Sequence, residues 1–179
     1  MTRMAWQEQG ERVLAGVRFD VYALELARRG GGSSRREVVV PADAVVVVPM
    51  LDDGRVALIR NERFAVGRSL LELPAGTLEE GEEPAACAAR ELTEETGYVA
   101  ARVEALTSFY TSPGFCTERM HAYVATGLRF EGQSLDETER IEVEPMALDA
   151  ALRAVREGEV EDAKTIAALL FYAQFEREN

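Results

Sequence analysis

Three glutamates in one short stretch, Glu91, Glu94 and Glu95, are the residues of this sequence best suited to chemistry. Residues four apart on a helix are neighbours, so Glu91 and Glu95 would lie side by side, with Glu94 next to them and further from the core. Like charges at this spacing repel each other, and a hard divalent cation such as Mg²⁺, which prefers oxygen ligands, would relieve the repulsion. The alternative is a solvated acidic helix face without a ligand.

The helix that carries these glutamates is marked at both ends. Pro84 suits the first turn, where its missing N–H group costs nothing, and Gly97 suits the left-handed position just past the last turn. Small and apolar residues recur on one narrow face between them: Ala85, Ala88, Ala89, Leu92 and Thr96. The sequence therefore predicts a helix that packs closely against a sheet.

The stretch from Gly76 to Tyr98 resembles the Nudix box of the Nudix hydrolase family. That pattern is Gly, five residues, Glu, seven residues, Arg-Glu, an aliphatic residue, any residue, Glu-Glu, any residue, Gly and an apolar residue. Its positions are filled by Gly76, Glu82, Arg90, Glu91, Leu92, Glu94, Glu95, Gly97 and Tyr98. The resemblance implies hydrolysis of a nucleoside diphosphate linked to another group, with Mg²⁺ or Mn²⁺ as the cofactor.

The same resemblance implies roles for single residues. Glu91 and Glu95 are the first metal ligands, the carbonyl oxygen of Ala75 is a third, and Glu94 assists catalysis or binds a further ion. The catalytic set thus includes Glu94 as well as Glu95. The structural residues of the motif are Gly76, Glu82, Arg90 and Gly97, and we expect Glu82 and Arg90 to pair and hold the loop against the helix.

Two later stretches resemble ADP-ribose pyrophosphatases more narrowly. A proline at about the position of Pro113 after the box is typical of that group, and Gly114 beside it lets backbone approach a ligand closely. We therefore predict that Pro113 and Gly114 contact the substrate. The acidic loop from Asp136 resembles a Glu-x-Glu loop that folds over the metals. Glu137 or Glu139 then supplies the general base or an additional metal ligand, and we favour Glu137 as the base and Glu139 as the ligand.

Arginines supply the remaining predicted substrate contacts. Arginine forks match anionic oxygens, so Arg63 and one of Arg35 and Arg36 are candidates to hold phosphate or the terminal ribose. Of the latter two we select Arg36. The alternative for each is an ordinary surface arginine.

Hydrophobic patterns predict the elements around the box. Residues 12–28 alternate as one strand, and Arg35 to Val40 return beside it as an N-terminal hairpin. The second part of the chain interleaves strands and helices. Predicted strands cover residues 44–50, 55–60 (after a hairpin turn at Asp52-Asp53-Gly54), 70–74, 103–110 and 120–128, and predicted helices cover 147–157 and 164–177.

These elements predict an α/β fold, and the family resemblance implies an α/β/α sandwich with a mixed central sheet and the extra N-terminal antiparallel hairpin. Residues 1–43 form the N-terminal strands, which in related hydrolases help to pair two subunits and border the substrate site. Residues 44–179 form the Nudix hydrolase domain. We expect a homodimer.

Composition excludes several classes of protein. The 179 residues, 47% of them hydrophobic, provide enough core for one compact fold, and the net charge of −12 disfavours binding to nucleic acid polymers or anionic membranes. Cys87 and Cys116 are the only cysteines, so no disulfide framework is expected. We see neither a signal peptide nor an apolar stretch of membrane-spanning length, and the expected location is the cytoplasm.

The sequence therefore predicts a Mg²⁺-dependent pyrophosphatase that splits ADP-ribose, or a related nucleoside diphosphate sugar, into AMP and ribose 5-phosphate. Its partner is a small nucleotide-sugar substrate. One alternative is hydrolysis of another sugar nucleotide such as GDP-mannose. A second alternative, from a different class, is a Nudix-like sensor that binds a nucleotide without cleaving it.

Overall fold

The computed structural model describes residues 10–177 and divides the chain into two compact units. The first unit comprises the described residues up to Asp43 together with Tyr110–Arg119. The loop around Phe115 thus belongs with the N-terminal strands and not with the rest of the predicted domain 44–179. Two backbone bonds hold it there, because the Val39 N–H donates to Phe115 O at 2.8 Å and the Thr117 N–H donates to Val39 O at 3.0 Å.

The first unit contains a three-stranded antiparallel sheet. In the order β1-β2-β3, its strands are Glu11–Ala15, Phe19–Ala27 and Ser33–Pro41. The hairpin of β2 and β3 was predicted, but the prediction of one unbroken strand over residues 12–28 is wrong. The chain turns after Ala15, where the Gly16 N–H donates to Phe19 O at 3.1 Å. Because apolar alternation continues through this turn, periodicity alone does not reveal it.

The described part of the second unit contains seven strands and three helices. The strands are β4 (Ala44–Pro49), β5 (Arg55–Arg63), β6 (Arg68–Glu72), β7 (Ala75–Thr77), β8 (Tyr98–Tyr110), β9 (Arg119–Phe130) and β10 (Ile141–Ala147). The helices are α1 (Pro84–Thr96), α2 (Leu148–Glu157) and α3 (Ala163–Phe175).

The strands of the second unit form two sheets. A mixed sheet has the order β7-β4-β9-β8, in which β7 is antiparallel and β9 parallel to β4. An antiparallel sheet has the order β10-β5-β6. The predicted turn at Asp52-Asp53-Gly54 is present, with Leu51 N–H donating to Arg55 O at 2.8 Å. Beyond a single bridge between Met50 and Val56, however, β4 and β5 enter different sheets.

Strand β4 is the centre of this unit because it is covered on both faces. Val46 and Val48 pack into one apolar cluster with residues of α2 and α3, whereas Val45 and Val47 pack into another with residues of α1. All four side chains are fully buried, and burying a valine contributes about 1.5–3 kcal/mol. The predicted α/β/α sandwich is therefore confirmed.

The helix boundaries follow the predicted signals. Pro84 opens α1, and Gly97 closes it with φ of 75°, donating its N–H to Thr93 O at 2.8 Å. One detail of the predicted apolar face is wrong, since Ala85 is exposed and Cys87 is buried instead. Among residues 10–177, no helix is both long and apolar enough to cross a membrane.

Candidate active site

Helix α1 places three glutamates at three different depths. Glu95 is 3% exposed, the Glu91 side chain is 13% exposed, and the Glu94 side chain is 40% exposed. The difference follows from the helical repeat, because Leu92 and Thr96 face the core and Glu95 lies between them and the edge. The buried member of the set is therefore the one whose charge is most costly.

Glu95 is held by the backbone of β7. The Ala75 N–H donates to its Oε2 at 2.9 Å. Burial, together with the nearby charge of Glu91, raises the pKa of Glu95 to about 8, although the Ala75 N–H opposes the shift. A divalent cation at this point would supply the missing positive charge and favour the ionised form.

Glu91 occupies space that only a glycine leaves open. A Cβ atom added to Gly76 would lie 1.9 Å from the Cδ atom of Glu91 and 2.0 Å from its Oε1 atom. The carboxylate of Glu91 therefore packs directly against the backbone of β7 at Gly76, next to Ala75. Burial raises the pKa of Glu91, although Arg90 opposes the shift.

Arg90 ties the loop before α1 to the glutamates on it. Its Nε and Nη2 atoms donate to the two carboxylate oxygens of Glu82 at 2.9 and 3.0 Å, so these residues pair as predicted. Its Nη1 atom donates to Glu91 at 2.8 Å and to Glu94 at 2.9 Å. Arg90 lowers the pKa of Glu82 to about 2 through the fork, and it also partly neutralises the outer glutamates.

Arg63, predicted to bind substrate, forms a fork with a buried glutamate. Its Nε and Nη2 atoms donate to the two carboxylate oxygens of Glu72 at 2.8 and 2.7 Å. The side chain stays 36% exposed, and its charge is close enough to Glu95 to lower the pKa of that residue. The structure thus shows a partner for Arg63, and its contact with substrate stays a prediction.

The acidic loop starts from the end of α1. The Gln133 Nε2 atom donates to the backbone oxygen of Glu95 at 2.6 Å, and the Ser134 N–H donates to that of Glu94 at 3.0 Å. These bonds satisfy carbonyl groups that the last turn of a helix leaves open. At its other end the loop is fixed by the Glu62 N–H, which donates to Arg140 O at 3.1 Å.

Within this loop, Glu139 lies close to the glutamates of α1. Its charge contributes to raising the pKa of both Glu91 and Glu95, and its Oε2 atom accepts the Asp136 N–H at 3.0 Å. Glu137 is exposed, and its backbone oxygen accepts a bond from Arg140 at 3.4 Å. The structure brings Glu139 to the site, while the choice between Glu137 and Glu139 as general base stays a prediction.

Three predicted substrate contacts lie in the first unit. Arg36 is exposed and donates to Ser34 Oγ at 3.1 Å. Pro113 and Gly114 are exposed in a turn in which Ser112 O accepts the Phe115 N–H at 3.1 Å. Their roles toward a ligand stay predictions.

The residues on α1 and β7 fit a magnesium ion better than a metal that needs a complete protein cage. In the described residues, no three His, Cys, Asp or Glu side chains form a ready-made metal-binding group. Magnesium commonly takes one or two carboxylates and completes its shell with water and substrate phosphate. Glu95 and Glu91, under-neutralised and beside the backbone of Ala75 and Gly76, are donors of this kind.

Two residues that support this site were not identified from the sequence. Lys164 contacts the buried carboxylate of Glu72, and the Thr165 Oγ1 atom accepts the Leu73 N–H at 2.8 Å. A signal was present for Lys164 and its partner Glu72, but not for Thr165. Glu72 interrupts an apolar run, and Lys164 is the only lysine in the chain. A charged residue inside such a run requires a buried partner of opposite charge.

This chain is similar to known proteins over most of its length and not only at the candidate site. Residues 40–169 match the family described as NUDIX domain. The chain is 40% identical over 163 residues to an ADP-ribose pyrophosphatase of Bacillus subtilis (strain 168), covering 90% of this chain and 88% of that relative. It is 38% identical over 165 residues to a methanol dehydrogenase activator of Bacillus methanolicus, covering 90% and 88% respectively. A crystal structure titled ADP compounds hydrolase superposes with a TM-score of 0.82 at 25% identity, over 92% of this chain and 90% of that one.

Proposed function

This chain belongs to the Nudix family, and we propose that it is a Mg²⁺-dependent enzyme that hydrolyses ADP-ribose, or a closely related nucleoside diphosphate sugar, to AMP and ribose 5-phosphate. The observation that carries the proposal is the buried Glu95 beside Glu91, two carboxylates with raised pKa on one edge of α1. The Bacillus subtilis protein that is similar to this chain over nearly its whole length is named ADP-ribose pyrophosphatase, and this similarity supports the choice of substrate.

The residues would divide the reaction between them. Glu91, Glu95 and the carbonyl oxygen of Ala75 would hold Mg²⁺, and Mn²⁺ is an alternative ion. When bound, the ion neutralises phosphate oxygens and lowers the pKa of a coordinated water. Glu139 or Glu137 would accept a proton as water forms a new P–O bond. The bridging P–O bond then breaks, and the leaving phosphate keeps its electron pair.

Arg90 would keep the site in order through the catalytic cycle. Its fork to Glu82 fixes the guanidinium, whose remaining donor then holds Glu91 and Glu94 in place. An acidic protein of net charge −12 repels an anionic substrate, and Arg90 and Arg63 supply positive charge near the carboxylates. We infer that Arg63 and Arg36 contact phosphate or the terminal ribose, together with backbone at Pro113 and Gly114.

A substrate panel with product identification tests the function. ADP-ribose, GDP-mannose, ATP and the dNTPs would each be assayed with Mg²⁺ and with Mn²⁺. We expect kcat/KM for ADP-ribose to exceed that for ATP or any dNTP at least ~10-fold, or about 1.4 kcal/mol of transition-state binding, because the acidic loop repels a free γ-phosphate. Better turnover of dNTPs would contradict the proposal, and binding of ADP-ribose without products would favour the sensor.

We also infer that the protein is a homodimer formed through the first unit. Several apolar side chains of its sheet and turn are exposed, namely Val13, Leu14, Val17, Phe19 and Leu26. Burying such residues against a second copy would remove them from water. Light scattering at micromolar concentration should give the mass of two chains, and a monomer mass would refute the inference. A variant lacking residues 1–40 should show a raised KM if this unit borders the substrate site.

A further inference from the structure

Four charged residues form a group around the buried Glu72, and three of them, Glu72, Lys164 and Asp162, have no part in the proposed chemistry. The carboxylate of Glu72 is fully buried and contacts both Arg63 and Lys164. Lys164 also contacts Asp162 Oδ1 at 2.9 Å, and the Lys164 side chain is 13% exposed. Two acids and two bases thus form a closed, electrically neutral group.

Stability alone is a weak explanation for this group. Removing charges from water is costly, and apolar residues of similar volume often stabilise a core equally well. What a closed group of ion pairs provides is a defined geometry, because each carboxylate oxygen has a fixed donor. Such a group can therefore fix the backbone to which its side chains are attached.

The backbone fixed in this way is the segment from Glu72 to Ala75, which ends at the first residue of β7. The side chain of Glu72 is held by Lys164 and Arg63, and the Leu73 N–H donates to Thr165 Oγ1 at 2.8 Å. The next two residues are held in turn. Pro74 O accepts the Val47 N–H at 2.9 Å, and the Ala75 N–H donates to Glu95 Oε2 at 2.9 Å.

We propose that Lys164 and Thr165 are positioning residues, which fix the segment from Glu72 to Ala75 so that the backbone of Ala75 meets the metal-binding carboxylate of Glu95. The inference rests on the proposed function in taking Glu95 and Ala75 as metal ligands. Thr165 is fully buried, and it is itself oriented by Asp162, whose Oδ2 atom accepts its N–H at 2.9 Å and its hydroxyl at 2.6 Å. The start of α3 therefore helps to position Glu95 of α1 through the backbone from Glu72 to Ala75.

The residue types at these positions suit the task. A lysine ammonium is compact and has donors in three directions, so Lys164 reaches Glu72 and Asp162 together. A guanidinium is planar and presents its donors in a fixed fork, so it suits two carboxylates in different directions less well. Lys164 is the one lysine of the chain, and the other 19 of its 20 basic residues are arginines.

The test measures metal binding directly, without substrate. Mn²⁺ affinity would be determined by electron paramagnetic resonance for the wild type and for Thr165→Val, which keeps the shape of the side chain but removes the acceptor for the Leu73 N–H. We expect Mn²⁺ to bind about 10-fold more weakly to Thr165→Val, and within twofold of wild type to Thr165→Ser, which restores the hydroxyl. Leu169→Val is the matched control, because it trims a fully buried residue of α3 without removing a hydrogen bond, and its affinity should also stay within twofold.

A second variant covers the case in which Thr165→Val does not fold. Lys164→Met keeps the aliphatic stem and removes the ammonium, and it should weaken Mn²⁺ binding in the same way. Wild-type Mn²⁺ affinity in a folded Thr165→Val or Lys164→Met protein would overturn the inference, and so would equal weakening in Leu169→Val. Because no substrate is present, these results differ from a failure of the proposed function, in which wild type binds Mn²⁺ and leaves ADP-ribose intact.

Discussion

Glu72 and Glu95 are both buried, but only Glu72 is neutralised by its neighbours. Glu72 contacts a guanidinium and an ammonium, so each of its oxygens has a charged donor. Glu95, which is 3% exposed, accepts one neutral backbone N–H, and burial raises its pKa to about 8. Glu72 directly precedes the segment from Leu73 to Ala75, and Glu95 accepts the N–H of the last residue of that segment. Two identical side chains close to one segment thus have different electrostatic surroundings.

The difference separates a structural carboxylate from a functional one. Burial alone does not do so, because both residues have lost their water. A buried carboxylate with complete partners holds the fold, whereas one without them is destabilising until a cation arrives. The position of the missing charge therefore marks a candidate metal site more directly than the number of acidic residues on α1 does.

The largest expected effect comes from breaking the complete pair. Glu72→Gln leaves the half-buried Arg63 without a counter-charge and Lys164 with Asp162 alone, so we expect the free energy of unfolding to fall by about 3 kcal/mol. Urea unfolding at pH 7 without metal measures it. The same chemical change at the other site, Glu95→Gln, is the comparison and should raise the free energy of unfolding instead, because the folded variant no longer has to bind a proton that the unfolded chain has lost at this pH. Equal losses in the two variants would remove the distinction.

The second prediction reverses the comparison. We expect Glu95→Gln to lower kcat by at least ~10²-fold while the protein stays folded, because the change removes charge from a metal site and not from a structural pair. Steady-state assays with ADP-ribose at saturating Mg²⁺, alongside circular dichroism, measure both quantities. Near-normal turnover in a folded Glu95→Gln protein would refute the metal-ligand assignment.

A third prediction addresses the place of Glu91. Gly76→Ala puts a methyl group where the Glu91 carboxylate now lies, and we expect the Mg²⁺ concentration for half-maximal rate to rise about 10-fold, or about 1.4 kcal/mol. Gly30→Ala is the matched control, since an added Cβ there meets nothing within 4 Å. A Mg²⁺ requirement that is unchanged in Gly76→Ala would show that Glu91 does not hold the ion.

The smallest expected effect is a pH dependence. The folded pKa of Glu95 is about 8 against an ordinary value of 4.5, so between these values the folded state binds a proton that the unfolded state has lost. The stability of metal-free protein therefore falls as pH rises through this range. Between pH 6 and pH 7 we expect wild type to lose about 1 kcal/mol relative to Glu95→Gln. Urea unfolding at both pH values measures the difference, and saturating Mg²⁺ should abolish it.

Of the two glutamates compared, the position of Glu95 can be predicted from the sequence because it depends on local spacing within α1. Pro84 and Gly97 determine the ends of α1, and four-residue spacing places Glu91 beside Glu95. The pattern does not define which of the small residues face the core. The predicted face of α1 consisted mainly of alanines, which bury so little area that the pattern did not distinguish exposed Ala85 from buried Cys87.

The surroundings of Glu72 depend on contacts that local spacing cannot show. Glu72 and Lys164 are separated by 92 residues, and neither has a periodic pattern that points to the other. The separation of β4 and β5 into two sheets has the same origin, because a tight turn fixes one bridge and not the pairing beyond it. Long-range pairing is decided by the packing of the whole unit.

The anchors of the acidic loop limit where the chain could gain or lose residues during evolution. Gln133 and Ser134 cap α1 through the backbone oxygens of Glu95 and Glu94, and Arg140 meets the Glu62 N–H next to the first pair of β10 with β5. An insertion among residues 131–134 would uncap the helix that carries the proposed metal-binding glutamates. Between Leu135 and Glu137 the loop could lengthen with both anchors intact. Differences in length among homologues should therefore be confined to that point, with a constant length on either side of it.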